Sequence, residues 1–340
     1  LLALLSKKRA QISSFFEILE STRRANHTKE ESNITIGVAR ERKDLIERPQ
    51  DLTSLIQGIS SIVFKMREFL LIILLCLPTW AAETAENHDE SPYVTKKDLR
   101  YRDDSETLNP YQLERCVLDL YHPKTKGFST IIWFHGGGLT GGNKSFPSAL
   151  KNQGHAIVSA NYRLSPKATV NDSIDDAAAA VAWVLKNIET FGGNRKQIFV
   201  SGHSAGGYLA SMIGLDQSRL DKYGVDANDL AGLIPYSGQA ITHFTARKEQ
   251  GIAQERPVID HLAPLFYVRK TAPPILFITG DREKELLGRY EENAYLLRML
   301  KVAGHQDVSL LELGGYGHNM TEPAHPLLLD FIARINNEQH

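Results

Sequence analysis

Two cysteines in 340 residues, Cys76 and Cys116, leave little from which a disulfide scaffold could be built. Cys76 lies in a segment read below as a cleaved leader. Cys116 would then stand alone, so no intramolecular disulfide is expected, and a core of about 250 residues needs none. An excess of one charge is also lacking. The 39 Lys and Arg stand against 40 Asp and Glu, which removes the electrostatic reason to expect nucleic acid as a partner. The apolar run at 69–77, ahead of Pro78, is far short of the ~20 residues that a helix needs to cross a bilayer, so no stable membrane span is expected after processing. No sequence-wide period marks a repeat protein. His243, His261 and His325 have no metal-ligand spacing.

What the run at 69–77 does fit is an export leader. Met66 is the first methionine, and Thr79 and Ala81 offer the small residues wanted before a cleavage site near Ala81 or Ala82. The basic end is weak, because Glu68 offsets Arg67, and Leu75 stands where a lipid anchor on Cys76 would need a small residue. Residues 66–82 are therefore expected to be a signal peptide, giving an exported protein, periplasmic or extracellular; a buried helix or an uncleaved anchor is the alternative. Residues 1–65 would place that leader in the interior of the chain. They are expected to be an upstream extension of the reading frame or disordered, with translation starting at Met66. Peptides from 1–65 in the mass spectrum of natively expressed protein would overturn this. Residues 83–94 read as a mobile lead-in and 95–338 as the folded domain.

Within that domain, Gln197 to Met212 reads as strand, sharp turn and helix, with Ser204 at the tip in Gly202-His203-Ser204-Ala205-Gly206. A serine hydroxyl becomes a useful nucleophile only with a base in reach and donors for the oxyanion. The helix start aims the Ala205 N–H at that charge. Upstream, the apolar run 129–134 has the composition of a central strand and enters His135-Gly136-Gly137-Gly138, a loop able to turn its N–H groups inward. Gly137 and Gly138 are the expected partners of Ala205 in an oxyanion hole, though the choice among Gly136, Gly137 and Gly138 stays open. A phosphate loop is the competing reading, and Asn143 stands where that motif needs glycine. His135 is expected to fix the loop.

Further strands are expected at 155–160, 233–237, 273–281 and 308–313. Arg115 to Tyr121 is expected to be an early antiparallel edge strand, and Tyr101 a second possible edge. Helices are expected at 172–190, capped by Asn171 or Asp172, at 290–302 and at 326–336. The alternation predicts an α/β fold: a mostly parallel, doubly wound sheet of about eight strands with helices on both faces. Ser204, Asp281 and His318 then fall at strand ends in that chain order, as nucleophile, orienting acid and base. Glu283 and Glu285 could replace Asp281 but start further from the strand end. His305 precedes the last strand and belongs at the opposite end of the sheet. His203 is expected to pack behind the turn, and Asp175 and Asp176 to be solvated or capping.

These motifs, with IIWFHGGG, DAAAAVAWVLKNIETFGGN, VSGHSAGGYLA, ILFITGD and GYGHNM, resemble the α/β-hydrolase family. The likeness covers about 95–338 and is nearest to its hormone-sensitive-lipase-like and feruloyl-esterase-like carboxylesterases, with HGGG and GxSxGG. The resemblance implies ester hydrolysis through an acyl-enzyme, without metal or cofactor. Leu139 departs from the Trp that often follows HGGG. Residues 238–270 are too few for a large lid, which points to a short acyl chain on a small ester rather than a triglyceride. An amidase, exopeptidase or arylformamidase-like hydrolase of the same fold is the alternative. A non-catalytic binding protein on a hydrolase scaffold is the remote one.

Overall fold

The seven residues of β3 (Phe128–Phe134) are all buried, and this both-faced burial sets the architecture, because a strand without a wet face must be covered by helices on each side. In the computed structural model, residues 91–103, 107–286 and 288–338 are described. The expected extension at 1–65, the leader at 66–82 and most of the lead-in lie outside them. Among the described residues no helix is long and apolar enough to cross a membrane.

Eight strands form one sheet in the order β1-β2-β4-β3-β5-β6-β7-β8. The others are β1 (Tyr93–Arg100), β2 (Val117–Pro123), β4 (Ala156–Ala160), β5 (Gly193–His203), β6 (Gly232–Tyr236), β7 (Ile275–Gly280) and β8 (Val308–Leu313). From β4 to β8 every neighbouring pair is parallel, while β1 and β2 are antiparallel to their neighbours. The edge strand on the antiparallel side is thus β1, with β8 at the other edge. The 115–121 segment, expected at the edge, lies inside the sheet as β2, because eight residues upstream, polar and mostly exposed in the middle, pair with it antiparallel as one more strand. Tyr93 and Val94, assigned to the lead-in, already belong to that strand, whereas Tyr101 follows it and turns into the core. Pro235 does not exclude β6 from the centre; lacking an N–H, it leaves the β6–β7 pairing sparse, at Leu233 with Ile275 and Tyr236 with Ile278.

Seven α-helices connect and cover the described sheet: α1 (Pro110–Arg115), α2 (Val170–Asn187), α3 (Ala205–Leu215), α4 (Gln217–Asp221), α5 (Phe244–Glu249), α6 (Arg289–Val302) and α7 (Thr321–Glu338). α2 starts two residues earlier than expected. Thr169 is its N-cap and forms a reciprocal capping box with Asp172. Ile174, Ala177, Ala178, Val181, Ala182, Val184 and Leu185 are buried on it, as the periodicity predicts. α7 begins five residues before Pro326, which is held inside the helix. One sheet face packs with α2 and α3 in the larger apolar cluster. The other packs Trp133, Phe199 and Ile278 against Leu328, Phe331 and Ile332 of α7.

Asp175 and Asp176 are not solvated. Asp176 is fully buried and receives the guanidinium groups of Arg163 and Arg102, while Asp175 meets Arg102 and Lys222. Arg163 Nε and N–H both donate to Asp176 Oδ2, at 2.7 and 2.9 Å, so the carboxylate satisfies two chain segments at once. The pattern hides this role, since a helix-face aspartate pairs only with residues that folding brings from elsewhere. Cys116 is buried, and burial pushes its thiol up to about 11, the profile of an inert core side chain.

Candidate active site

Parallel strands in register bring five loops to one end of the sheet, since Phe134 lies beside Gly202, His203 beside Tyr236, and Gly280 beside Leu313. The crevice beyond the carboxyl ends of such strands is where an α/β sheet offers a site.

Ser204 joins β5 to α3 with φ 57° and ψ −114°, a conformation that a side chain adopts only under constraint. The constraint is visible. Its N–H donates to the Tyr236 carbonyl at 2.8 Å, and its own carbonyl accepts from Tyr208 N–H at 3.0 Å. The turn is tight enough that a Cβ on Gly206 would sit 2.0 Å from the Phe134 carbonyl oxygen, and one on Gly202 2.6 Å from the same atom. Neither position can take alanine without moving the central strand. The Ala205 N–H, first in α3, has no acceptor within its helix.

The HGGG loop lies against this turn. A Cβ on Gly136 would come within 3.4 Å of Ser204 Cβ, and Gly137 and Gly138 have positive φ of 106° and 63°. Among the described residues no acceptor meets the N–H of Gly137 or Gly138, whereas the Gly137 carbonyl accepts from Thr140 and Gly141 and the Gly138 carbonyl from Thr245 Oγ1. The loop's carbonyls are thus pinned while its N–H groups are free. His135 is structural, as expected: its ring stacks on Tyr162 at 4.4 Å, and the Tyr162 hydroxyl donates to its carbonyl at 2.8 Å. Burial lowers its pKa to about 4, so it is neutral at pH 7. Leu139 turns away into the core, fully buried.

His318, on the loop after β8, arrives beside the turn through His203. The two rings lie 4.6 Å apart and His203 Nε2 donates to the His318 carbonyl at 2.7 Å; since a carbonyl only accepts, this fixes the proton on Nε2. Burial, followed by the neighbouring His318, holds His203 near pKa 4.

The partner of His318 is Glu285, not Asp281. His318 Nδ1 donates to Glu285 Oε1 at 2.6 Å, and the Glu285 side chain is fully buried. Its second oxygen accepts from the Ser237 hydroxyl and from Gly280 N–H, the latter at 3.2 Å; Oε1 also accepts from Leu286 N–H at 2.8 Å. Burial alone would raise this carboxyl, but bonds from His318, Ser237 and Leu286 outweigh it and bring it down to about 2. Asp281 is committed to backbone. Its oxygens accept from Gly315 N–H at 2.7 Å and Glu283 N–H at 3.0 Å, which hold it below the usual carboxylate range. The reason is one turn of chain: Glu285 N–H donates to the Asp281 carbonyl at 2.8 Å, so the backbone coils after β7 and delivers the acid four residues past Asp281. Asp281 caps that coil and ties it to the loop carrying His318. Ser237 was not anticipated at all, because nothing in its local sequence marks a carboxylate partner 48 residues away. His305 lies at the far end of the sheet, its Nε2 against the carbonyls of Ala272 and Pro273 before β7.

Among the described residues no group of three or more His, Cys, Asp or Glu is placed to hold a metal. With Nδ1 engaged by a carboxylate, the His318 Nε2 lone pair is available as a base; the arrangement can move a proton from a hydroxyl and stabilise an oxyanion.

Residues 118–246 match the model of the BD-FAE family. Esterase LipC of Mycobacterium tuberculosis is 28% identical over 252 residues, covering 66% of this chain and 60% of that protein. The para-nitrobenzyl esterase of Bacillus subtilis is 34% identical over 135 residues, 34% of this chain and 28% of that one. The chain therefore spans 60% or less of the length of these relatives. Among solved structures, a truncated carbohydrate esterase from gut microbiota superposes with a TM-score of 0.60 at 19% identity, covering 73% of this chain and 98% of that one. Esterase B of Lactobacillus rhamnosis gives 0.59 at 20% identity, covering 73% and 89%. Strand order and these likenesses give the chain the α/β-hydrolase fold, and the relatives to which it is similar are esterases.

Proposed function

We propose that the protein is a serine esterase acting on short-chain carboxylic esters. The observation that carries this is the buried Glu285–His318 pair, held by His203 against the strained turn that bears Ser204. In this reading His318 Nε2 takes the Ser204 proton as Oγ attacks the ester carbonyl. The oxyanion is met by the N–H of Ala205 and by those of the Gly137-Gly138 loop. The proton then leaves with the alcohol, and the acyl-enzyme is hydrolysed by water that His318 deprotonates in turn. Glu285 holds the imidazole in the required tautomer and favours its charged form. No step calls for a cofactor.

A short acyl chain is favoured by the segment after β6, where 238–270 contribute only the six-residue α5 and a 3-10 turn, Pro264–Tyr267, and no long amphipathic lid. Initial rates on nitrophenyl esters from acetate to decanoate test this. Activity is expected to peak at four carbons or fewer, and a maximum at decanoate would defeat it. Running the matched anilides beside the esters separates esterase from amidase. Export through residues 66–82 belongs to the same proposal, with a mature chain that starts near residue 83.

A further inference from the structure

Charge inside a protein is costly unless paired, and two guanidinium groups beside the candidate site have no carboxylate at ion-pair distance among the described residues. Arg247 is 4% exposed and Arg289 is 3% exposed. Each gives one N–H to a backbone carbonyl, Arg247 Nη1 to Arg256 and Arg289 Nη1 to Ser237. Their Nε atoms are buried without an acceptor, and no described carboxylate forms an ion pair with either group. Arg102 and Arg163, by contrast, both close on Asp176. The charge of Arg247 bears on Arg289 as well, so the two are near enough to repel. The carboxylates that Arg289 feels are already engaged: Glu292 accepts from Ala240 N–H at 3.0 Å, and Glu285 holds His318.

Both arginines line one cleft of about 600 Å³, together with Phe244, Ile241 and Leu286. The cleft adjoins the reacting groups on two sides. The Phe244 ring edge would lie 3.0 Å from a Cβ on Gly138, and Thr245 Oγ1 donates to the Gly138 carbonyl at 2.5 Å. On the other side Arg289 holds Ser237, whose hydroxyl donates to Glu285. Glu255, Glu291 and Glu292 also border the cleft; the first two are exposed, where water and salt screen them, and Glu292 is turned to the Ala240 N–H.

We propose that this cleft binds a carboxylate borne by the substrate, so that the preferred esters are monoanions such as the half-esters of short dicarboxylic acids. The inference rests on the esterase reading above and names its substrate class. The test is the ratio of kcat/KM for monoethyl glutarate to that for ethyl pentanoate, esters of equal acyl length, followed by acid release. Wild type is expected to favour the half-ester at least about tenfold, and Arg247→Met to lower that ratio at least about tenfold, chiefly through KM, with Arg247→Lys recovering part of it. A wild-type ratio of one or less, or equal losses on both esters in Arg247→Met, would overturn the proposal. Wild type needs no variant for a second reading: free glutarate at millimolar concentration should slow fluorophosphonate labelling of Ser204 at constant ionic strength, and unchanged labelling counts against the anion site. Turnover of neither ester would instead sink the esterase reading, and this one with it.

Discussion

Replacing Ser204 by alanine is expected to lower kcat on a short ester by about 10⁶-fold, the loss typical when the nucleophile of a serine hydrolase is removed. The size follows from chemistry rather than packing. Without Oγ no acyl-enzyme forms, and what remains is the residual acceleration that donors and positioning give to attack by water. Alanine keeps the Cβ and meets the same backbone at φ 57°, while the bonds from the residue's N–H to Tyr236 and from Tyr208 to its carbonyl are main-chain. The thermal midpoint should therefore stay within a few degrees. A fluorophosphonate should label wild type and not the variant. Wild type that resists labelling would favour a non-catalytic scaffold, and a variant retaining a tenth of the activity would remove Ser204 from the reaction.

Glu285→Gln is expected to cost about 10⁴-fold in kcat and Asp281→Asn less than about tenfold, with the reverse order restoring Asp281 as the acid. An amide in place of Glu285 can offer His318 Nδ1 an N–H instead of an acceptor, which reverses the tautomer and takes the lone pair from Nε2. Asp281 touches only backbone N–H groups, and the carbonyl of asparagine can still accept one of them. A stability measurement supplies a second readout. Because the folded pKa of Glu285, about 2, is depressed from 4.5, its contribution is complete above about pH 4.5 and fades as pH falls towards 2. The Gln variant should therefore be less stable than wild type at pH 7, and the gap should close in acid.

Most of the scaffold could be read from short-range pattern. Buried parallel strands are apolar on both faces, so 129–134, 155–160 and 273–281 announced themselves, and the period of α2 selected the residues it buries. The turn at Ser204, the HGGG loop and the loop at His318 carry their chemistry within a few consecutive residues. The acid does not. Asp281 and Glu285 lie in one five-residue stretch, and which of them faces His318 depends on whether the chain coils once after β7, a matter settled by bonds to Tyr316 and Gly315 from another loop. Asp176 was misread for a similar reason, since its partners Arg102 and Arg163 come from separate segments.

The sequence by itself determined the alternation of strands and helices, the serine at the tip of a strained turn and the histidine after the last strand, because each is written in local periodicity and glycine placement. Only the tertiary structure decided which carboxylate supports that histidine, that Ser237 and Arg289 stand behind it, and that two buried arginines share a cleft beside the HGGG loop. Those are meetings between residues tens of positions apart, and side-chain distance and burial, which choose among chemically equivalent candidates, exist only once the chain has closed on itself.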